Sequence, residues 1–177
     1  MFGKQAIGRI ALLKIPYNYP MGENVRITIY CDGACSGNQY RNNAGGWGAI
    51  LKYRDKIREI YGSECNTSNQ RMELTACIKA LEHLKPGRYE IDIYTDSAYL
   101  FNCMQQKWYL KWQANGWLNS KRQPVENRDL WERLLRLITP HKVRFHKVEG
   151  HSGEELNERA DELAKLGIEQ AKKATAI

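Results

Sequence analysis

The sequence predicts an α/β fold in which helices flank a β-sheet, and three observations lead to this prediction. Alternating apolar residues mark strands, and apolar residues at helical spacing mark helices between them. The resulting order is β-β-β-α-β-α-α-β-α. The connection between the first and fourth strands contains a hairpin and a helix, so it is long enough to make these two strands parallel neighbours.

Three consecutive strands open the domain. Val25, Ile27, Ile29 and Cys31 alternate with the other residues of the first segment, as in a strand that is buried on one face. The stretch "GGWGAILKYRDKIREIYGSEC" then contains two strand-like segments around a polar turn at residues 54–56. These features predict a strand followed by a hairpin.

The first long helix follows the hairpin. Its apolar residues recur at helical spacing: Leu74, Cys77, Ile78, Leu81 and Leu84. The pattern Thr67-x-x-Gln70 predicts a capping box at its start, and Pro86-Gly87 predicts its end.

Strands and helices alternate in the middle of the chain. Residues 91–95 are predicted to form a strand, and residues 97–106 a helix, before a tryptophan-rich segment at 107–124. Another helix is marked by the apolar period at 130–138, with Asn127 as its cap.

The end of the chain is predicted to contain one strand and one helix. The strand covers 143–147, and the pattern Ser152-x-x-Glu155 predicts a second capping box that opens the helix. We expect one globular domain at 25–167, an N-terminal extension at 1–24 and a C-terminal tail at 168–177.

Composition indicates a globular protein with a basic surface. The chain has 177 residues, of which 42% are hydrophobic and 27% charged, and its net charge is +7. This length fits one domain with a sizeable core. The positive charge favours a polyanionic partner such as nucleic acid, although a solvated basic surface is the simpler interpretation of charge alone.

Cysteine usage indicates free thiols in a reducing compartment. The five cysteines are Cys31, Cys35, Cys65, Cys77 and Cys103. Their number is odd and no Cys-x-x-Cys pair occurs, so neither a disulfide framework nor a zinc knuckle is predicted. The N-terminal segment is a poor signal peptide, and no apolar stretch is long enough to span a membrane. We therefore expect a cytoplasmic monomer.

Two aspartates follow similar strand segments. Asp32 comes after "ITIYC" and Asp96 after "IDIYT", and parallel neighbouring strands would place them roughly 4.8 Å apart. Glu73 and Asp161 lie beside the apolar faces of two predicted helices and could point toward the same sheet. Carboxylate oxygens are the ligands that Mg²⁺ prefers, and a divalent cation would relieve their repulsion. The alternatives are aspartates that begin turns and helix acids that face solvent.

A histidine lies close to the last helix. His151 stands in "EGHSGEEL" between two glycines, where a loop histidine beside an acidic metal site could carry protons. The alternative is a surface histidine near a helix start.

Six motifs together resemble type 1 ribonuclease H in identity and order: "DGACSGN", "TSNQRMEL", "YTDSAY", "NGW", "PVENRDLW" and "GHSGEELNERADELA". The resemblance covers residues 25–167. It implies a ribonuclease H-like fold, with a five-stranded mixed sheet of three antiparallel strands plus parallel strands, flanked by helices. It also implies an endonuclease that hydrolyses the RNA strand of RNA–DNA hybrids with two Mg²⁺ ions, which Mn²⁺ can replace, and with weak sequence preference.

The same resemblance implies a role for each matched residue. The metal-binding catalytic acids would be Asp32, Glu73, Asp96 and Asp161, and His151 would assist product departure. Contacts to the minor groove of the hybrid would come from Cys35, Asn38, Asn69 and Gln70. Ser68 and Asn127 would hold a DNA phosphate. The aromatic residues lining the DNA channel would be Tyr99, Trp108 and Trp112.

The tryptophan-rich segment resembles the family's basic protrusion. It mixes lysines and arginine with tryptophans, but "QAN" stands at 113–115 where relatives often carry lysines. Trp108 has two open interpretations, substrate contact and core packing, whereas Trp117 is predicted to be core. The loop around Gln39–Ala44 is longer than the common bacterial form.

Three other classes fit the sequence less well. A haloacid-dehalogenase-like phosphatase requires Asp-x-Asp, but Ala34 stands two positions after Asp32. A hybrid-binding protein without catalysis would keep the basic segment and lose the acids. A transposase or integrase core should lack both the basic segment and the ending that begins at Gly150.

Overall fold

The structure is a computed structural model that describes residues 25–37, 42–150 and 153–175. Its five strands are β1 (Arg26–Ser36), β2 (Ala44–Tyr53), β3 (Lys56–Cys65), β4 (Glu90–Thr95) and β5 (Lys142–Lys147). Its five helices are α1 (Asn69–Glu82), α2 (Ala98–Gln105), α3 (Trp108–Ala114), α4 (Arg128–Ile138) and α5 (Glu155–Thr175). Every predicted strand and helix is present, and α3 is an addition. The N-cap of this short helix is Lys107, which has φ 52° and makes no side-chain capping bond, so no start signal marks the helix in the sequence.

The strands form one mixed sheet in the order β3-β2-β1-β4-β5. Neighbours β1–β2 and β2–β3 are antiparallel, whereas β1–β4 and β4–β5 are parallel. The predicted hairpin turns at Arg54–Asp55, between β2 and β3. The predicted parallel pairing of the first and fourth strands is confirmed, and so is the five-stranded mixed sheet.

The sequence suggested that the first strand ends before Asp32, but strand β1 continues past this residue. It continues to Ser36, and Asp32 pairs with Gly48 of β2. The small residues after Asp32 remain in the sheet because they pair with an equally small segment of β2. Small side chains on both strands let helices approach the sheet closely at this point.

Helices cover the two faces of the sheet unequally. On one face, Ile27 and Ile29 of β1 pack with Leu74 and Ile78 of α1 in the main core. On the other face, α5 lies across β1, β2 and β3. Burying each such aliphatic side chain contributes about 1.5–3 kcal/mol, so the apolar faces of α1 and α5 fix both helices on the sheet.

The predicted boundaries of α1 needed correction. Its N-cap is Ser68, whose side chain accepts a hydrogen bond from the Arg71 backbone N–H at 3.2 Å, so the Thr67–Gln70 capping box was wrong. Thr67 instead bonds Asn43 through its backbone. The helix ends at Glu82, before the predicted stop at residues 86–87.

Other predicted caps have different outcomes. Asn127 stands at the N-cap of α4 as expected, but at φ 58° it makes no side-chain capping bond. The proposed cap Ser152 lies outside the described residues.

The last helix extends beyond the predicted domain boundary. Residues 168–175, which the sequence pattern assigned to a tail, continue α5, and Ile168 and Ala171 are buried against Ala44. The extension at 1–24 lies outside the described residues. Within the described part of the chain, no helix has both the length and the apolarity to cross a bilayer.

Candidate active site

The two strand aspartates meet at one end of the sheet. The parallel ladder of β1 and β4 pairs Tyr30 with Tyr94, and Asp32 and Asp96 each follow by two residues. Asp32 is 7% exposed. The register therefore brings the two carboxyls to the same level on adjacent strands, as the sequence predicted.

Two glycines bring the helices with the other acids to this end of the sheet. A β-carbon at Gly33 would lie 2.2 Å from the backbone nitrogen of Glu73, so α1 passes directly over β1 there. On the opposite face, a β-carbon at Gly48 would lie 2.5 Å from the carbonyl oxygen of Ala160, the residue before Asp161. Both acids are thus carried to Asp32 by close helix–strand contact.

The four acids lie in one another's electric field. Burial raises the pKa of Asp32 to about 7, and the charges of Asp96, Asp161 and Glu73 add to this effect, against a hydrogen bond from Gly33. Burial also raises the pKa of Glu73 to about 6, and Asp96 contributes, while Ser97 and Lys147 oppose the shift. The arrangement therefore concentrates negative charge that lacks a full counter-charge.

Three neighbours that the sequence did not single out orient these acids. The Ser97 hydroxyl donates to Glu73 Oε2 at 2.5 Å, and the Lys147 ammonium donates to the Asp96 carbonyl oxygen at 2.8 Å. Lys165 Nζ lies 2.5 Å from Asp161 Oδ2. Of the three, Lys165 had a detectable signal, because it stands four residues after Asp161 on a predicted helix.

The chemistry of the donor set fits a hard divalent cation. All four groups are carboxyls, and their repulsion is the problem that such a cation would relieve. Among the described residues, no three or more His, Cys, Asp or Glu side chains are close enough together to hold a metal ion as they stand. The Asp161 carboxylate, in particular, is paired with Lys165.

The described residues on either side of His151 lie near the acids. His151 itself lies outside the described residues, so its predicted role stays a prediction. A β-carbon at Gly150 would lie 3.0 Å from Asp96 Oδ2, and beyond the loop the Tyr30 hydroxyl donates to Glu154 Oε1 at 3.0 Å. Described residues on both sides of the histidine are therefore anchored beside β1 and β4.

The predicted minor-groove contacts come together beyond the acids. The Cys35 backbone N–H donates to Asn69 Oδ1 at 2.7 Å, which joins the end of β1 to the start of α1. Gln70 is exposed next to Asn69. Asn38 lies outside the described residues.

The predicted phosphate-binding residues lie at the starts of α1 and α4. Ser68 and Asn127 are both buried, and Arg71 connects the two helices. Arg71 Nη1 donates to Asn127 Oδ1 at 3.2 Å, and the same guanidinium holds Asp129 at 2.8 Å. Arg71 therefore positions Asn127, a role that the sequence did not assign.

The predicted aromatic residues form one connected group around a core tryptophan. Trp131 is fully buried and donates from Nε1 to the Tyr99 hydroxyl at 2.9 Å. The Trp112 ring lies 5.7 Å from Trp131 and 6.4 Å from Trp108, between ring centroids. Trp117 is buried, as predicted, whereas Trp108 and Trp112 are half-buried and still present surface.

The raised carboxyl pKa values predict an unusual pH dependence of stability without metal. Between pH 4 and 7, the unfolded chain releases the Asp32 proton while the folded chain retains it, so stability falls as pH rises and levels off above the folded pKa. For Asp32, the shift from 3.8 to about 7 corresponds to a loss on the order of 4 kcal/mol. Denaturant unfolding in EDTA at pH 4 and pH 8 measures most of this loss.

The matched variant for this test is Asp32→Asn, which should reduce the pH dependence because its side chain cannot ionise. Equal slopes for the variant and the unmodified protein would contradict the buried, charge-crowded carboxyl.

Sequence comparison relates the chain to known nucleases. The sequence profile of the family described as RNase H matches residues 24–169. Ribonuclease H of Moorella thermoacetica is 53% identical over 143 residues, which cover 80% of this chain and 91% of that protein. Ribonuclease H of Syntrophomonas wolfei subsp. wolfei is 51% identical over 142 residues, which cover 80% of this chain and 95% of that protein.

Solved structures show the same arrangement of strands and helices. LC9-RNase H1, a type 1 RNase H with the type 2 active-site motif, superposes with a TM-score of 0.75 at 29% identity, over 84% of this chain and 74% of that chain. LC11-RNase H1 in complex with an RNA/DNA hybrid superposes with a TM-score of 0.60 at 22% identity, over 82% of this chain and 98% of that chain. The second likeness is one of fold.

Proposed function

Because the chain belongs to the ribonuclease H family, as its motifs predicted, we propose that it cleaves RNA within RNA–DNA hybrids as an endonuclease that uses two divalent metal ions. The chain is accordingly a ribonuclease H enzyme, and hydrolysis of RNA in RNA–DNA hybrids is the reaction of its family. For this chain we propose in addition the position of the active site, the use of two ions and a weak sequence preference.

The observation that carries the proposal is the group of four carboxyls formed by Asp32 and the three acids whose charges act on it. They come from β1, α1, the end of β4 and α5, and their charges and burial raise the pKa of Asp32 to about 7. A protein core gains nothing from such crowding, since ionised buried carboxyls oppose folding. A bound divalent cation would offset the repulsion between these carboxylates, which explains why they are held together.

The metal ligands would be Asp32, Glu73, Asp96 and Asp161. Bound Mg²⁺ ions, or Mn²⁺ in their place, would activate a water, stabilise the leaving oxygen and align the scissile phosphate. To reach that state, the carboxyl side chains turn toward a common centre, and Asp161 leaves Lys165.

The chain's own groups set the geometry around the acids. Ser97 Oγ donates to one oxygen of Glu73, and the other oxygen would be the one available to a cation. Lys147 fixes the backbone of Asp96 at the end of β4. His151, which stands between Gly150 and Gly153 in the sequence, would take up or release a proton as the product leaves.

The substrate would lie across the end of the sheet. Contacts to the minor groove, where the 2′-hydroxyl distinguishes RNA from DNA, would come from Cys35, Asn38, Asn69 and Gln70. Ser68 and Asn127 would receive a phosphate of the DNA strand, and Tyr99, Trp108 and Trp112 would line the channel for that strand. Since backbone contacts carry little base information, sequence preference should be weak.

Matched duplexes test this function directly. Labelled RNA–DNA, RNA–RNA and DNA–DNA duplexes of one sequence are incubated with the protein in Mg²⁺ and in EDTA. We expect internal cuts in the RNA of the hybrid, no cleavage of the other duplexes, and no cleavage in EDTA until Mg²⁺ is restored. Cleavage of the hybrid that persists in EDTA would refute the metal site, and equal cleavage of all duplexes would refute hybrid specificity.

A further inference from the structure

A pocket of about 480 Å³ opens where β1 ends and β2 begins. Its polar lining consists of Ser36, Asn42, Asn43, Cys65, Asn66 and Lys172. None of the lining residues is an acid, and Lys172 supplies a positive charge. This chemistry, with one cation among amides and a hydroxyl, suits a phosphate group with its sugar.

The pocket walls are held in place by hydrogen bonds between two loops. Asn43 is 5% exposed, and its amide donates to the Thr67 carbonyl at 2.8 Å and accepts from the Thr67 N–H at 2.9 Å. The Asn42 N–H donates to Asn66 Oδ1 at 3.0 Å, and the Asn66 N–H donates to the Asn43 carbonyl at 3.2 Å. A ligand would therefore meet walls that are already formed, which lowers the entropy cost of binding.

The pocket lies on the same face of the sheet as Asp32 and Asp161, the face that α5 covers. Ala44 packs against Ala171, the neighbour of Lys172 on α5. Tyr30, two residues before Asp32, packs against Ala160 and Leu163 of the same helix. Because alternate residues of a strand share one face, Asp32 and the pocket both face α5.

The proposed DNA-phosphate site lies on the other face. Ser68 caps α1, and Asn127 begins α4, which packs on α1. A duplex laid across the end of the sheet would thus place one strand toward α1 and the other toward α5. The strand that is cut must be the one at the acids.

On the basis of the proposed function, we propose that this pocket is a subsite for a phosphodiester of the RNA strand, away from the cleaved bond. Lys172 follows Asp161 by 11 residues on α5, which corresponds to roughly 16 Å along the helix axis. This separation spans several nucleotides. Lys172 neutralises the phosphate, and Ser36 and the side-chain amides of Asn42 and Asn66 hydrogen-bond to the sugar–phosphate backbone.

The test compares two adjacent lysines. Lys172→Gln and Lys172→Glu remove the proposed contact, while Lys173→Gln and Lys173→Glu make the same charge changes on an exposed residue outside the pocket lining. Hybrid binding is measured in EDTA at several salt concentrations by fluorescence anisotropy, and KM and kcat are measured in Mg²⁺. Thermal unfolding verifies that all four variants are folded.

We expect Lys172→Gln to weaken hybrid binding about fivefold at low salt and to reduce the slope of log Kd against log salt by about one, since one counterion-releasing contact is lost. KM should rise while kcat stays unchanged. The Lys173 variants should keep both the affinity and the slope. Equal losses of affinity at Lys172 and Lys173 would mean that the positive surface charge in general, and not the pocket, attracts the hybrid, and would overturn the subsite.

Substrate variants identify the strand. A neutral methylphosphonate placed singly along the RNA should remove the difference between Lys172→Gln and the unmodified protein at one position several nucleotides from the cut. An effect confined to the DNA strand, or at no position, would overturn the assignment. Absence of hybrid cleavage by the unmodified protein would instead refute the proposed function, so the two failures are distinguishable.

Discussion

Replacing Asp32 by asparagine is expected to reduce hybrid cleavage by at least about a thousand-fold while the chain remains folded. Asp32 is the acid on which the other three carboxyls converge, and its loss removes a charged oxygen that no neighbour can supply. The measurement is single-turnover cleavage of a labelled hybrid in saturating Mg²⁺, together with denaturant unfolding in EDTA. In EDTA above pH 7, the variant should be more stable than the unmodified protein, because asparagine carries no buried charge.

Asp92 supplies a matched control on the neighbouring strand. It is nearly as buried as Asp32, but Arg144 and His146 bond its carboxylate at 2.8 Å and lower its pKa to about 2. Asp92→Asn should therefore destabilise the fold at neutral pH and leave kcat unchanged. If Asp32→Asn cleaved the hybrid at the rate of Asp92→Asn, the proposed site would be wrong.

Substituting alanine for Gly33 is expected to damage both folding and catalysis. The new β-carbon would stand 2.2 Å from the Glu73 nitrogen and from the Met72 carbonyl carbon, and both are backbone atoms of α1 that cannot rotate away. The helix must shift from β1, which should cost about 3 kcal/mol in the free energy of unfolding. Because Glu73 moves with it, cleavage should fall by about 100-fold or more.

Gly62→Ala separates the two effects of Gly33→Ala. A β-carbon at Gly62 would lie 2.5 Å from the Trp47 ring, a contact that involves no catalytic acid. This variant should lose stability but retain kcat when assayed well below its unfolding temperature. Full activity of Gly33→Ala, assayed well below its own unfolding temperature, would show that the contact of α1 with β1 does not set the position of Glu73.

Much of the fold was predictable because short-range patterns of apolar residues indicate where strands and helices form. The period of Leu74, Ile78 and Leu81 indicated α1, and the alternation of Ile27 and Ile29 indicated β1. Predictions failed where local rules compete. Thr67 looked like an N-cap, but its backbone is engaged by Asn43 and the cap passes to Ser68. The length of β1 beyond Asp32 depends on its partner strand, which a local pattern does not report.

The amino-acid sequence by itself determined the four carboxyls and the order of elements that brings Asp32 and Asp96 onto parallel neighbouring strands. Only the tertiary structure decided which groups surround them: Ser97 on Glu73, Lys165 on Asp161, and the pocket at Lys172 that shares a face with Asp32. The physical reason is that burial, charge repulsion and hydrogen bonding depend on distances between side chains. Residues far apart in the chain acquire those distances only when α1 and α5 pack against the small residues of β1 and β2.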